Sequence, residues 1–251
     1  MKVIFHERFY EVYTHDPAAA PGRMEAMVKA LENEFEFVEP TPASDRDIER
    51  VHGRQHLQSV KGDGLIYEVG RLAAGGAILA GELACQGQPA FGLIRPPGHH
   101  ASPHSCWGFC YFNNVAVAVK KLLSAGKIKS ALILDFDLHF GDGTANTFAG
   151  SQEVTYVHPS GSNRVAYLTD LQGRLASEKT CDLIAVSAGF DRHEDDWGGL
   201  LKTEDYNTIG KWAKEFSVGL CRGRRFGVLE GGYNHSVLGR NVKSFLQGFN
   251  D

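Results

Sequence analysis

Short apolar runs alternate with amphipathic stretches along most of the chain. Lys2 to His6 reads as a first strand. Phe91–Ile94, Ala131–Phe136, Val154–Val157, Asp182–Ser187 and Phe226–Leu229 read as further short, buried strands. Between them a period near 3.6 predicts a helix over Arg23–Glu34, with Met24, Met27, Val28 and Leu31 on one face. Ala43–Asp45 offers a cap for a short helix containing Ile48 and Val51, and Gly62 to Gly64 reads as a turn. An alanine-rich helix follows from Tyr67 to Cys85, then a core helix over Val115–Leu123. An amphipathic helix runs through Val165, Leu168, Leu171 and Leu175, another from a Thr203 cap to about Leu220, and a last one closes the chain. Strands alternating with helices predict an α/β fold. The expectation is a single three-layer domain, residues 1–251, with a central, mainly parallel β-sheet flanked by helices. Gly75, Gly76 and Gly81 lack both the preceding strand and the spacing of a dinucleotide fingerprint, so close helix packing is their predicted role.

The pattern breaks where strands end. After Ala131–Leu134, Asp135, Asp137 and His139 share one side of an extended chain, while Phe136, Leu138 and Phe140 take the other. Three ionisable groups converging past a buried strand are costly unless something pairs with them, and a divalent cation would meet that cost. A strand-to-helix loop with a capping aspartate such as Asp142 explains that one stretch as well. Other strand ends repeat the feature, however: His99 and His100 after the 91–94 run, Asp191 after 182–187, and Tyr233 after 226–229. Ligands of open α/β sheets bind outside the carboxyl ends of the strands, so the repetition predicts a site.

Composition narrows the classes. The 251 residues carry a net charge of -4, which gives no broad attraction to nucleic acid or to an anionic membrane. The basic cluster Arg222, Arg224, Arg225 is expected to be a solvated loop. No apolar stretch reads as a signal peptide or a membrane span. Five scattered cysteines predict reduced thiols and a cytoplasmic setting, with Cys106 and Cys110 as buried free thiols.

Arg95-Pro-Pro-Gly-His-His-Ala101, Gly108-Phe-Cys-Tyr-Phe-Asn-Asn114, Asp135 to Gly143, Ser187-Ala-Gly-Phe-Asp191 and Glu230-Gly-Gly-Tyr233 together resemble, in order, the motifs of the zinc-dependent histone deacetylase and acetylpolyamine amidohydrolase family. The Glu-Gly-Gly-Tyr and Gly-Phe-Asp forms lean towards its class II and bacterial branch, and the fold implied is the arginase–deacetylase fold. The resemblance implies Asp137, His139 and Asp191 as metal ligands and His100 as general base with His99 beside it. It implies Asp135 and Asp142 as the carboxylates orienting those histidines, Tyr233 as the oxyanion donor, and Gly108 with Phe109 as one wall of an acyl-lysine channel. It implies Zn2+, with Fe2+ and Co2+ compatible with the same ligands, and a structural K+ for which no serine ligand is placed. The implied reaction hydrolyses an N-acetyl amide of a polyamine, acetyl-lysine or similar small amine. The alternative is a deacetylase-fold binding or scaffold protein with little catalysis. An arginase-like second metal would need aspartates where this chain has Gly141 and His193.

The chain also departs from the pattern. The family's long loop after the 154–157 strand carries a second aromatic wall and a monovalent-cation ligand; here His158 to Asn163 leads almost at once into the next helix. The expectation is a wide mouth. Asp196-Trp197 stands where the family has Asp-Pro; Trp197 is a candidate for part of the missing rim, with packing the first expectation. Asp63 and Glu68 are candidate acidic rim residues whose plainer reading is solvated charge. Oligomeric state is not legible.

Overall fold

Seven strands build one sheet in the computed structural model, which describes residues 1–250. They are β1 (Lys2–Ile4), β2 (Glu36–Val38), β3 (Ala90–Gly92), β4 (Ala131–Asp135), β5 (Val154–Val157), β6 (Leu183–Ala188) and β7 (Arg225–Leu229), in the order β2-β1-β3-β7-β6-β4-β5. Each of these pairings is parallel, so both faces need cover. The helices are α1 (Arg23–Leu31), α2 (Asp45–Ile48), α3 (Arg54–Lys61), α4 (Gly64–Cys85), α5 (Asn114–Ser124), α6 (Asp142–Thr147), α7 (Arg164–Ser177), α8 (Thr203–Leu220) and α9 (His235–Asn250). α4 and α5 pack together against the sheet, while α1, α8 and α9 pack as a second group, giving a three-layer α/β fold. Alternation along the strands feeds both layers: Phe226 reaches Gly81 of α4, whereas Phe91 meets Phe245 of α9 at 6.0 Å.

The strand order is what makes a site. The chain visits β3, β4, β6 and β7 in that sequence, yet in space β7 and β6 lie between β3 and β4. Gly92 pairs with Val228, Val228 with Ser187, and Ser187 with Asp135. The four strand ends that carry polar residues are therefore neighbours, at the kind of crossover where α/β sheets open a crevice.

Several expectations need correction. The edge strand β2 and helix α3 escape the sequence pattern, because three residues beside a helix and a helix with Gly53 at its cap give weak signals. The turn expected at 62–64 is present at Gly62 and Asp63 but leads straight into α4 at Gly64, with the Asp63 side chain accepting from the Ile66 N–H. Thr203 is the first residue of α8 rather than its cap; the Asp205 carboxylate instead accepts from the Lys202 N–H at 2.8 Å. In α7 the buried face is Tyr167, Leu171 and Leu175, and Val165 is 70% exposed. Arg225 is buried in β7, not solvated, and donates to the Phe249 and Asn250 carbonyls that end α9. The α4 glycines do serve packing: a Cβ on Gly75 would lie 2.0 Å from the Thr41 carbonyl oxygen. No helix among the described residues is long and apolar enough to cross a membrane.

Candidate metal centre and active site

His139 Nδ1 lies 3.3 Å from Asp137 Oδ1 and 3.2 Å from Asp191 Oδ2. Ligands about 2.0–2.2 Å from one tetrahedral cation stand roughly 3.3 Å apart, so this spacing suits a single divalent ion. The carboxylates are set by backbone donors. Asp137 accepts from the His139 N–H (2.9 Å) and the Gly231 N–H (2.8 Å), and Asp191 Oδ1 accepts from the Leu138 N–H at 3.0 Å. Asp191 Oδ2 is buried without a hydrogen-bond partner. An orphaned carboxylate oxygen beside an imidazole and a second carboxylate is the donor set a cation takes. The backbone makes room for it: a Cβ on Gly189 would lie 2.0 Å from Asp137 Oδ2, and one on Gly231 would lie 2.6 Å from the same oxygen.

Charge follows from this crowding. The hydrogen bond to Asp137 and the Asp191 carboxylate 3.2 Å away raise His139 to about 10. Burial, with the Asp137 charge added, pushes Asp191 up to about 6. Burial works against the Asp137 anion too, but His99 and the bonds from His139 outweigh it and hold its carboxyl low.

Two histidine–carboxylate pairs flank Asp137, His139 and Asp191. His99 Nδ1 pairs with Asp135 Oδ2 at 3.1 Å and His100 Nδ1 with Asp142 Oδ1 at 2.6 Å, which leaves each Nε2 for other work. The two rings differ. Burial opposes a charge on His99, but Asp137 and Asp135 overcome it and raise its pKa well above the usual value. Burial and the neighbouring His99 lower His100 instead, against the pull of Asp142. A neutral His100 beside a cationic His99 would suit one ring to accept a proton and the other to give electrostatic support. If His100 is the base, kcat/KM rises with pH along an acid limb whose midpoint lies below the ordinary 6.5. Asp142→Asn removes a bond that raises His100, so that limb moves to lower pH while kcat falls by about 100-fold. A pH–rate profile of both proteins checks the shift.

These residues meet in a cavity of about 160 Å³ lined by His99, His100, Gly108, Phe109, His139 and Tyr233, with Trp107 and Trp197 at its rim. Phe109 has φ 67° and Gly108 φ 58°, and a Cβ on Gly108 would stand 2.5 Å from His100 Cδ2. A non-glycine residue held there costs about 1–3 kcal/mol, so packing fixes this wall against strain. Tyr233 stacks on Trp197 at 4.0 Å and meets Phe109 edge-on at 5.9 Å. Trp197 is therefore rim as well as packing, at 53% exposed. Asp196, just before it, accepts from the Tyr233 and Asn234 N–H groups, each at 2.8 Å. Asp63 and Glu68 are not among the lining residues; Glu68 pairs with Arg8 and Arg71. His193 turns to Thr203 Oγ1 at 3.3 Å, and nothing at Gly141 offers a ligand to a second ion.

The sequence reading missed four contributors. Trp107 donates from Nε1 to Asp142 Oδ2 (2.9 Å) and lies against His100 at 4.0 Å, completing the other rim. The Tyr156 hydroxyl donates to Asp135 Oδ2 at 2.9 Å. Glu230, fully buried, accepts from the Gly98 and His99 N–H groups and from Ser187, and burial raises it to about 7. Arg23 donates to the Gly232 and Glu230 carbonyls and shapes the loop that presents Tyr233. Glu230, His99 and Cys110 also cluster, but both Glu230 oxygens and the Cys110 thiol are hydrogen-bonded within the protein, unlike Asp191 Oδ2.

The arrangement defines a class: an α/β protein with one candidate cation site and two histidine–carboxylate pairs at the carboxyl end of its sheet. The profile of the histone deacetylase domain matches residues 17–167 and 159–249. The chain belongs to the histone deacetylase family. It is 30% identical to a probable deacetylase of Methanothermobacter thermautotrophicus, over 98% of this chain and 90% of that protein. It is 37% identical to the histone deacetylase-like amidohydrolase of Pseudomonas aeruginosa, over 51% of this chain and 38% of the other. The crystal structure of the HDA15 HD domain superposes with a TM-score of 0.84 at 23% identity, covering 98% of this chain and 87% of that one. The two profile matches meet at residues 159–167, where the loop after β5 is short.

Proposed function

We propose that this chain is a metal-dependent amidohydrolase that removes acetyl from a small amine, an acetylated polyamine or an acetyl-lysine, releasing acetate and the free amine. The observation that carries the reading is the unpartnered Asp191 Oδ2, which faces Asp137 and His139 beside the His100–Asp142 pair. Asp137, His139 and Asp191 would hold a zinc ion, and iron(II) or cobalt suits the same donors. When bound, such an ion supplies Lewis acidity, lowering the pKa of a water and polarising the amide carbonyl. His100 Nε2 takes the water's proton, and the imidazolium is stabilised by Asp142 before it protonates the departing amine. His99 and Asp135 hold positive charge opposite the developing negative charge. Tyr233 donates its hydroxyl to the oxyanion.

The cavity's size supports a linear substrate, since about 160 Å³ is small beside the roughly 300 Å³ at which drug-sized sites begin. Trp107 and Trp197 present aromatic faces suited to a methylene chain or a further ammonium group. Five free thiols support work in a reducing, cytoplasmic setting, by residues 1–251 as one catalytic domain. The test is turnover of acetylpolyamines against acetyl-lysine peptides after reconstitution with each metal. Hydrolysis that hydroxamates suppress is the expected result. No turnover across the panel would overturn the reading.

A further inference from the structure

The resemblance to metal-dependent deacetylases implies a monovalent cation served by the segment after β5, and the residues here do not fit one. The backbone N–H groups of Asp137, Leu138 and His139 face carboxylates, so the Asp137 and Leu138 carbonyls turn the other way. A guanidinium already lies there. Arg192 Nη2 donates to Asp137 O at 3.1 Å and Leu138 O at 3.0 Å, and stands 3.4 Å from Nε2 of His158, the first residue after β5. The guanidinium lies over the Tyr167 ring at 4.5 Å, and the Tyr167 hydroxyl donates to Phe136 O.

Arg192 is buried, and among the described residues no carboxylate oxygen comes within salt-bridge distance of it. Its Nε has no partner. A buried guanidinium held by carbonyl dipoles and a ring, rather than by an ion pair, is unusual. Two buried carboxylates adjoin it: Asp191 is its chain neighbour, and Asp137 is the residue whose carbonyl it holds. Arginine suits the place because it is always charged and weakly hydrated.

We propose that Arg192 is a built-in monovalent cation: it occupies the place of the potassium ion, fixes the Asp137–His139 loop, and frees the centre from dependence on K+. It is a positioning residue, joined in sequence to the ligand Asp191 and in space to the ligand Asp137 and to Leu138, which precedes His139. The inference rests on the metal-centre reading above. Its test separates the two, because thermal stability across a cation series needs no bound zinc.

The experiment measures Tm and zinc affinity, by chelator competition, in sodium, potassium and dilute guanidinium chloride at one ionic strength. Wild type is expected to give the same Tm and the same zinc affinity in sodium and potassium. Arg192→Ala is expected to lose about 10- to 100-fold in zinc affinity, the range for groups that support metal ligands, and to regain part of it in guanidinium or potassium. Arg192→Lys should fall between the two. Rescue by a small cation is something a merely space-filling arginine would not show. Potassium-dependent Tm or zinc binding in wild type, or unchanged zinc affinity in Arg192→Ala, would overturn the proposal. Should Arg192→Ala not fold, Arg192→Lys and the wild-type series decide it. A wild type that binds no zinc counts against the metal-centre reading, while the Tm series still judges Arg192.

Discussion

Asp191→Asn is expected to abolish metal retention and to lower deacetylase activity by at least about 1000-fold, the scale on which metal-activated hydrolysis depends on its ion. Asparagine keeps the shape and can still accept from the Leu138 N–H, so the fold has little reason to change. What it removes is the negative charge at Oδ2, the oxygen that accepts no hydrogen bond and faces His139 Nδ1 at 3.2 Å. That charge is uncomfortable in the apo protein, where burial and Asp137 hold the Asp191 pKa at about 6. A carboxyl raised in the folded state stabilises fully at low pH and loses that contribution as pH rises through its folded value. Apo wild type should thus weaken as pH climbs from about 4 to about 6, and Asp191→Asn should escape this part of the weakening.

The response to zinc is the converse. Metal binding must expel protons from Asp191 and His139, so wild-type affinity rises with pH. At 100 times the dissociation constant, zinc should stabilise wild type by about 2.7 kcal/mol, and the variant hardly at all. Metal analysis of purified protein and melting curves with and without zinc at pH 5 and 8 check both halves. Stoichiometric zinc in an active Asp191→Asn would remove this residue from the ligand set.

Much of this site was legible because it sits on strand ends. Asp137, His139 and Asp191 break apolar runs, and a break of that kind is visible without knowing the fold. The order of the strands is not local information. Nothing within β7 says that it inserts beside β3, although that insertion brings Glu230 to the Gly98 and His99 amides, 132 and 131 positions away. Supporting groups were hidden for the same reason. Tyr156 lies in a run that reads as plain strand, and its bond to Asp135 appears only when β5 pairs with β4. Trp107 did leave a signal, a tryptophan directly before the Gly108-Phe109 wall. Arg192 left another, a cation following a buried ligand at a strand end. Both were overlooked because each has an ordinary surface explanation. The short loop after β5 was legible as a departure, and Trp197, from a different segment, lines part of the cavity whose second wall that loop does not supply.

Tyr233→Phe separates catalysis from mere binding. The ring is held independently of its hydroxyl, by the stack on Trp197, the edge contact with Phe109, and the Arg23 guanidinium 5.5 Å from its centre. Asp196 fixes the backbone from below through the Tyr233 and Asn234 amides. Phenylalanine keeps all of these contacts, so melting temperature and zinc affinity should match wild type. Burial and the charge on Asp137 raise the phenol pKa far above its ordinary value, so the hydroxyl stays protonated and can only donate at working pH. A donor aimed at charge that develops only in the transition state lowers kcat when lost, with little change in KM. One such donor is worth about 3 kcal/mol, or roughly 100- to 1000-fold in kcat. Turnover equal to wild type would mean that the measured hydrolysis does not pass through this cavity. The same fold would then be read as a metal-bearing binding protein, with Trp107 and Trp197 gripping a ligand that the centre does not cleave.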